Sequence, residues 1–392
     1  MKIRKENIVK LLLILIGIFC QINPLISRNT MMIYLLFCFF LFALTINIKK
    51  INFNKGFVWY LIFVLFCLFT LTYTINRINP EYVYIRIFTY LILLLLSAPF
   101  LKEEKNVKTV VEGFLIGGLI GITYVLINQY NLIGIRRIGG NLYGSYAEFG
   151  AVCALAMTSF LWLQRSMKKK KILKFFLFFY IAFAIIVSGA RKAILIAILI
   201  PLFMQVFDKR KRIEKKMMFL LIMSILSLII LTAILNNKYL YKTIGYRIES
   251  GISSIINDGK EDSSLDERNS FKKLAFELFK ERPVFGWGIH GFAMKNYTTH
   301  GNILYYLLYS HDGFLEILSC YGLIGFILYY WIFVYIIYNY KKMLYDDTSI
   351  FLFSYIIVIL LMELYSISFL NSYYVIMIGA SANIIEKRKN ND

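Results

Sequence analysis

Three groups of residues in this 392-residue chain combine cations, glycines and a histidine in patterns suited to anion binding and proton transfer. The first is Ser188-Gly189-Ala190-Arg191-Lys192, a very short connection between two apolar runs. An arginine held there, near a membrane interface, is costly unless it pairs or meets an anion; a snorkelling interfacial side chain is the plainer reading. The second group is Arg268 with Arg282, about four turns further along one helix. A guanidinium fork grips phosphate oxygens two at a time without a metal, whereas the plainer reading is a solvated helix charge. The third is Ser310-His311-Asp312-Gly313-Phe314-Leu315-Glu316, followed by Tyr321-Gly322-Leu323-Ile324-Gly325, at the start of an apolar run. A helix N-terminus disfavours imidazolium, so His311 is expected to stay neutral and able to act as a general base; capping or interfacial anchoring is its ordinary alternative. Arg136 and Arg137, beside Gly139-Gly140-Asn141, supply further cations, and Glu148, Glu316 and Glu363 could pair with the arginines in a purely structural role. In Phe285-Gly286-Trp287-Gly288 the two glycines would let the backbone bend or approach a ligand closely.

Other chemistries lack their residues. The chain has no GxxxxGK[ST] loop, no HExxH, no CxxC and no outer Asp-x-Asp pair. Its five cysteines, Cys20, Cys38, Cys67, Cys153 and Cys320, lie inside apolar runs without metal-like or paired spacing. No metal, no cofactor and no disulfide framework are expected, and nucleotide-driven or metal-assisted reactions lose support.

The elements that must position these residues are membrane helices. Apolar residues make up 59% of the chain and aromatics 17%, in uninterrupted blocks near the roughly 20 residues that cross a bilayer core. Twelve spans are expected, at roughly 8–26, 31–48, 57–75, 83–101, 110–130, 145–164, 173–189, 193–207, 217–235, 312–338, 350–367 and 372–386. The first lacks a small-x-small cleavage site and is read as a retained helix. The fold class is therefore all-α, a polytopic transmembrane bundle with one large, partly helical extracytoplasmic loop.

The net charge of +21 invites a nucleic-acid reading, but its distribution points to membrane orientation. Alternate connections collect 27 of the 44 basic residues. The opposite short connections hold only Arg28, Arg77, Arg136, Arg137, Arg191 and Lys192, which puts both termini in the cytoplasm. No nucleic-acid partner is expected. The organisation becomes nine spans in 1–235, an outer loop in 236–310, and three spans with a cytoplasmic tail in 311–392. All three histidines, His290, His300 and His311, fall in that loop or at its end. Within the loop, Ser264-Leu265-Asp266-Glu267 reads as a capping box, and Phe271, Leu274, Ala275, Leu278 and Phe279 repeat at helical spacing up to Pro283. That helix is too short to span and would lie along the interface or cap the bundle.

From about residue 130 onward the sequence resembles the O-antigen polymerases and O-antigen ligases. The resemblance rests on the Ser-Gly-x-Arg-Lys turn at Arg191, on the Arg-x(13)-Arg-Pro-Val-Phe-Gly-Trp-Gly-x-x-Gly-Phe run from Arg268 to Phe292, and on the His-Asp-Gly-Phe-Leu-Glu-Ile-Leu-x-x-Tyr-Gly-Leu-Ile-Gly run from His311. Two positions depart from the pattern: Asp312 stands where many relatives carry Asn, and Lys272 where an aromatic is usual. The resemblance implies transfer of a glycan from a polyprenyl (undecaprenyl) diphosphate donor to a sugar hydroxyl at the outer face of a bacterial plasma membrane, without metal or nucleotide. His311, Arg268 and Arg191 would be catalytic. Arg191, Arg268, Arg136, Arg137 and Arg282 would bind the diphosphate, with Glu316, Glu148, Gly286 and Gly288 supporting. The expected partners are the lipid-linked oligosaccharide and membrane lipid, with flippase and chain-length regulator proteins beside them. A repeat-unit polymerase of capsular or O-antigen synthesis is preferred to a ligase acting on a lipid or protein acceptor. A transporter or flippase is the alternative from another class, and it calls for midplane charges and internal repeats rather than charges gathered at one face.

Overall fold

The structure is a computed structural model that describes residues 5–46, 53–74, 81–166, 171–246, 248–250, 263–300, 308–340 and 346–390. Among these the architecture is helical, without strands. The principal helices are α1 (Lys5–Ile22), α2 (Arg28–Thr45), α3 (Lys55–Phe69), α4 (Glu81–Ser97), α5 (Glu104–Asn128), α6 (Tyr146–Leu163), α7 (Lys171–Ser188), α8 (Arg191–Val206), α9 (Ile213–Asn236), α10 (Ser263–Glu281), α11 (Gly291–His300), α12 (Gly313–Tyr340), α13 (Asp347–Glu363) and α14 (Ser372–Lys389). Each expected span coincides with one of them. Seven, α1, α2, α3, α5, α6, α7 and α12, are long and apolar enough to cross a membrane, and Val83–Ser97 is a shorter apolar helix. α8 has 16 residues and carries Pro201 inside it. The chain is a membrane protein.

The chain divides into two compact units that interleave along the sequence, and the division falls inside α13. The first unit holds 1–50, 103–253 and 343–355. Its middle is α6, whose best apolar window is 78% buried. Small residues set its packing: a Cβ at Gly17 of α1 would meet the Val110 carbonyl of α5, and one at Gly150 of α6 would meet Ala190 and Ala193. Such close backbone approach is how helices associate where lipid removes the hydrophobic driving force. Conversely, α2 and α7 expose Ile33, Leu36, Phe39, Phe40, Phe175 and Phe176, faces suited to lipid rather than water.

The second unit holds 51–102, 254–342 and 356–392. Its core joins α3, α12 and α14 around Trp59, Tyr60, Phe63, Tyr321 and Tyr329, and the Trp59 indole N–H donates to the Tyr329 carbonyl at 2.8 Å. Of the stripe its spacing implies, α10 buries Phe271, Ala275 and Leu278, while Leu274 and Phe279 are half-buried. The capping-box side chain Ser264 lies outside the described residues.

Gly322 interrupts α12 with φ 63° and ψ −166°. A break strips backbone groups of their helical partners, and buried amides must find others. Here Pro283 to Gly288 provides them. Trp287 and Gly288 N–H donate to the Ser319 and Cys320 carbonyls at 2.9 and 2.7 Å, while Leu323 and Ile324 N–H donate to the Pro283 and Val284 carbonyls at 2.8 and 3.3 Å. A Cβ at Gly286 would lie 2.5 Å from the Cys320 carbonyl, so only glycine allows the approach.

Candidate functional site

In the first unit, cations collect where α8 begins. After α5, Gly139 turns with φ 91°, its N–H donating to Gln129 Oε1 at 2.7 Å. Ile138 N–H then donates to the Val187 carbonyl at 3.2 Å. That bond ties the Arg136-Arg137 segment to the last turn of α7, directly before Ser188-Gly189-Ala190-Arg191. Ser188 steadies the turn, donating to the Ile185 carbonyl at 2.7 Å and accepting from Ala190 N–H at 3.3 Å. The Arg137 guanidinium lies over the Tyr146 ring, 4.2 Å from its centroid. Burial holds the Arg137 pKa below the ordinary arginine range, Tyr146 opposes that shift, and the nearby Arg191 cation adds to it. Arg137 and Arg191 therefore stand close enough to repel. Neither Arg136 nor Arg137 forms an ion pair among the described residues, and Arg136 is exposed. Glu148 does not neutralise them: it is half-buried, and its N–H meets the Ser145 hydroxyl at 3.0 Å as the first turn of α6 is capped.

In the second unit, the centre is His311. Its backbone is left-handed, with φ 57°, a conformation that costs a non-glycine residue about 1–3 kcal/mol and persists only where its surroundings enforce it. On one side, Ser310 is buried; its N–H donates to Glu316 Oε2 at 2.8 Å and its hydroxyl to the Asp312 carbonyl at 2.7 Å. On the other, Asp312 Oδ1 accepts from Leu315 N–H at 3.1 Å and caps α12. Asp312, not His311, is thus the capping residue. The imidazole lies nearly parallel to Phe271 of α10, at 6.1 Å and 8°, and packs against Tyr309 at 4.4 Å.

Arg268 belongs to the same helix face. It precedes Phe271 and Lys272 by three and four residues, the spacing of neighbours on a helix surface. Lys272 Nζ lies 3.2 Å from Asp312 Oδ2 and donates to the Leu364 carbonyl at 2.7 Å. Arg268 is half-buried and makes no ion pair among the described residues. The two positions at which the sequence departs from the pattern it resembles, Lys272 and Asp312, are partners of one another.

Other expected members do different work. Arg282 lies about 21 Å along the helix from Arg268, and its guanidinium stacks 3.8 Å from the Trp287 ring centroid, a ring it shares with Lys295 at 3.6 Å. Gly286 and Gly288 approach α12 through backbone: a Cβ at Gly286 would meet the Cys320 carbonyl, and Gly288 N–H donates to it. Glu316 accepts from Ser310 N–H and from the Cys320 thiol, and Glu363 accepts from the Ser368 hydroxyl.

Sequence reasoning gave Lys272 and Tyr146 no role in the site and named Ser310 only as part of the His311 run. Tyr146 had a signal in the Ser145-to-Glu148 cap, whereas the lysine and the serine act only through contacts closed by the fold.

A family model described as O-antigen ligase matches residues 175–330, the stretch that contains Arg191, Arg268, Lys272 and His311. A comparison with curated proteins finds no match.

Proposed function

We propose, from the O-antigen ligase-family domain that this chain carries over residues 175–330, that it is a membrane glycosyltransferase acting on polyprenyl diphosphate-linked glycans. The observation that carries the reading is His311, held in a left-handed backbone between two anchored neighbours and beside the α10 face that bears Arg268. An acceptor sugar hydroxyl attacks the anomeric carbon of the donor. The bond from that carbon to the diphosphate oxygen breaks, and its electron pair leaves with the polyprenyl diphosphate. His311 takes the hydroxyl proton, and Arg268 stabilises the charge that develops on the leaving oxygen.

Arg191, with Arg136 or Arg137, is a second phosphate-binding group for lipid-linked substrate. Guanidinium groups supply the positive charge, so the chemistry needs neither metal nor nucleotide. The distribution of basic residues supports cytoplasmic termini and a site on the outer face.

We read the transfer as repeat-unit polymerisation. Complementation of a deletion strain with Arg191→Ala, Arg268→Ala and His311→Ala, scored by the length of the lipid-linked glycan, tests it. Single repeat units should accumulate at normal expression. Full-length chains from all three variants would reject the site, and full-length polymer retained on its lipid carrier would assign a ligase instead.

A further inference from the structure

We propose that Lys272 is a positioning residue for His311, acting through Asp312; the inference rests on the reading of His311 as general base. Three segments meet at the Lys272 ammonium: its own helix α10, the residue that caps α12, and the chain just after α13. It lies 3.2 Å from Asp312 Oδ2, donates to the Leu364 carbonyl at 2.7 Å, and stands 5.4 Å from the Tyr365 ring centroid. The pair is shielded, with side-chain exposures of 28% for Lys272 and 8% for Asp312.

Asp312 divides its carboxylate between two tasks. Oδ1 holds the first turn of α12 through Leu315 N–H, and Oδ2 holds α10 through Lys272. His311 is its immediate neighbour, and Ser310, on the far side, is fixed by Glu316. The left-handed backbone of His311 therefore depends on anchors at both flanks. α10 carries Phe271, which stacks on the imidazole, and Arg268, one turn earlier. Lys272 is the charged tie that keeps this helix in register with the His311 segment. Its donors are largely committed to Asp312 and Leu364, which suits a tether better than a phosphate ligand. Without the tie, Asp312 keeps its cap, but the imidazole and the Arg268 guanidinium lose their mutual placement. A misplacement of about 1 Å is enough to slow a reaction roughly 100-fold.

The test uses the full chain in lipid nanodiscs, with glycan-lipid extracted from the deletion strain as donor and initial rates measured against its concentration. Lys272→Met keeps the stem and removes the charge; kcat should fall roughly 100-fold with KM for the donor unchanged. Lys272→Arg should restore most of the lost rate. Asp312→Asn, which retains an acceptor for Leu315 N–H, should reproduce the loss, and the double variant should be no slower than either single one, because both remove the same contact. Wild-type kcat in Lys272→Met overturns the inference. So does a raised KM with kcat intact, which would make Lys272 a direct phosphate ligand. Should Lys272→Met fail to accumulate in the membrane, Asp312→Asn decides alone, and full kcat in that variant overturns the inference equally. His311→Ala, assayed alongside, separates the two levels. Activity in His311→Ala removes the general-base reading itself, whereas an inactive His311→Ala beside fully active Lys272→Met and Asp312→Asn removes only the tether.

Discussion

Just past the last turn of α8, Asp208 is almost fully buried and grips Arg210 with both oxygens, at 2.8 and 2.9 Å; Arg210 also reaches Asp347, which pairs with Arg165 at 3.7 Å. At the first turn of the same helix, about 24 Å away, Arg191 stands near Arg137, and burial together with mutual repulsion holds the Arg137 pKa down. The first unit thus handles cations in two ways. Where it only needs to join segments, it supplies carboxylates. Where α8 begins, it concentrates positive charge and gives Arg137 an aromatic face instead of an anion. Like charges gathered in a partly buried place favour the binding of an anion, which is the property the proposed phosphate-binding role draws on.

Substitutions at the two ends of α8 should have opposite effects. Arg191→Gln should slow transfer by about 100-fold or more, the loss typical of one preorganised charge-stabilising group, while the thermal midpoint in detergent moves little. Asp208→Ala should show the reverse pattern: activity per folded molecule is kept, and stability falls by about 1.5 kcal/mol, the low end for a charge-assisted hydrogen bond because Arg210 is 43% exposed and screened. Equal effects on stability at the two ends would erase the distinction.

Anion binding should have a smaller effect. Inorganic diphosphate at ten times its dissociation constant should stabilise the protein by about 1.4 kcal/mol. Arg137→Gln should abolish the shift and Asp208→Asn should leave it in place; a shift that survives Arg137→Gln would locate anion binding elsewhere.

Acid gives the smallest signal. Burial raises the Asp208 carboxyl pKa, but hydrogen bonds from Arg210 and the surrounding cations more than reverse this and hold it below the ordinary carboxylate range. A carboxyl depressed in the folded state contributes stability above its unfolded pKa and loses that contribution as pH falls through the folded one. Melting midpoints should therefore drop more steeply below about pH 4 in the wild type than in Asp208→Asn.

Much of the second unit's site was legible from short-range pattern. The stripe Phe271, Leu274, Ala275, Leu278 and Phe279 marked α10, Pro283 marked its end, and the run from His311 marked the start of a membrane helix. Arg282, expected on the same helix as Arg268, lies just past its end, with its guanidinium over Trp287: spacing relates two residues along the chain without showing that they share a neighbour. Gly286 and Gly288 were legible as points of close approach, but what they approach lies far along the chain: the Cys320 carbonyl of the helix broken at Gly322 for Gly286, and Thr70 and Thr74 after α3 for Gly288. Lys272 and Asp312 looked like two unrelated departures from a pattern, since nothing local links residues forty positions apart.

The helices follow from local sequence, because the length of an apolar run and the residues that cap or end it are local properties that a bilayer reads directly. Packing sets how those helices sort into two interleaved units, how Asp208 and Asp347 come to hold Arg210, and how His311 comes to hold a backbone conformation its own residue type disfavours. Each of these depends on buried polar groups finding partners far along the chain, and which partner is found is a property of packing rather than of any single segment.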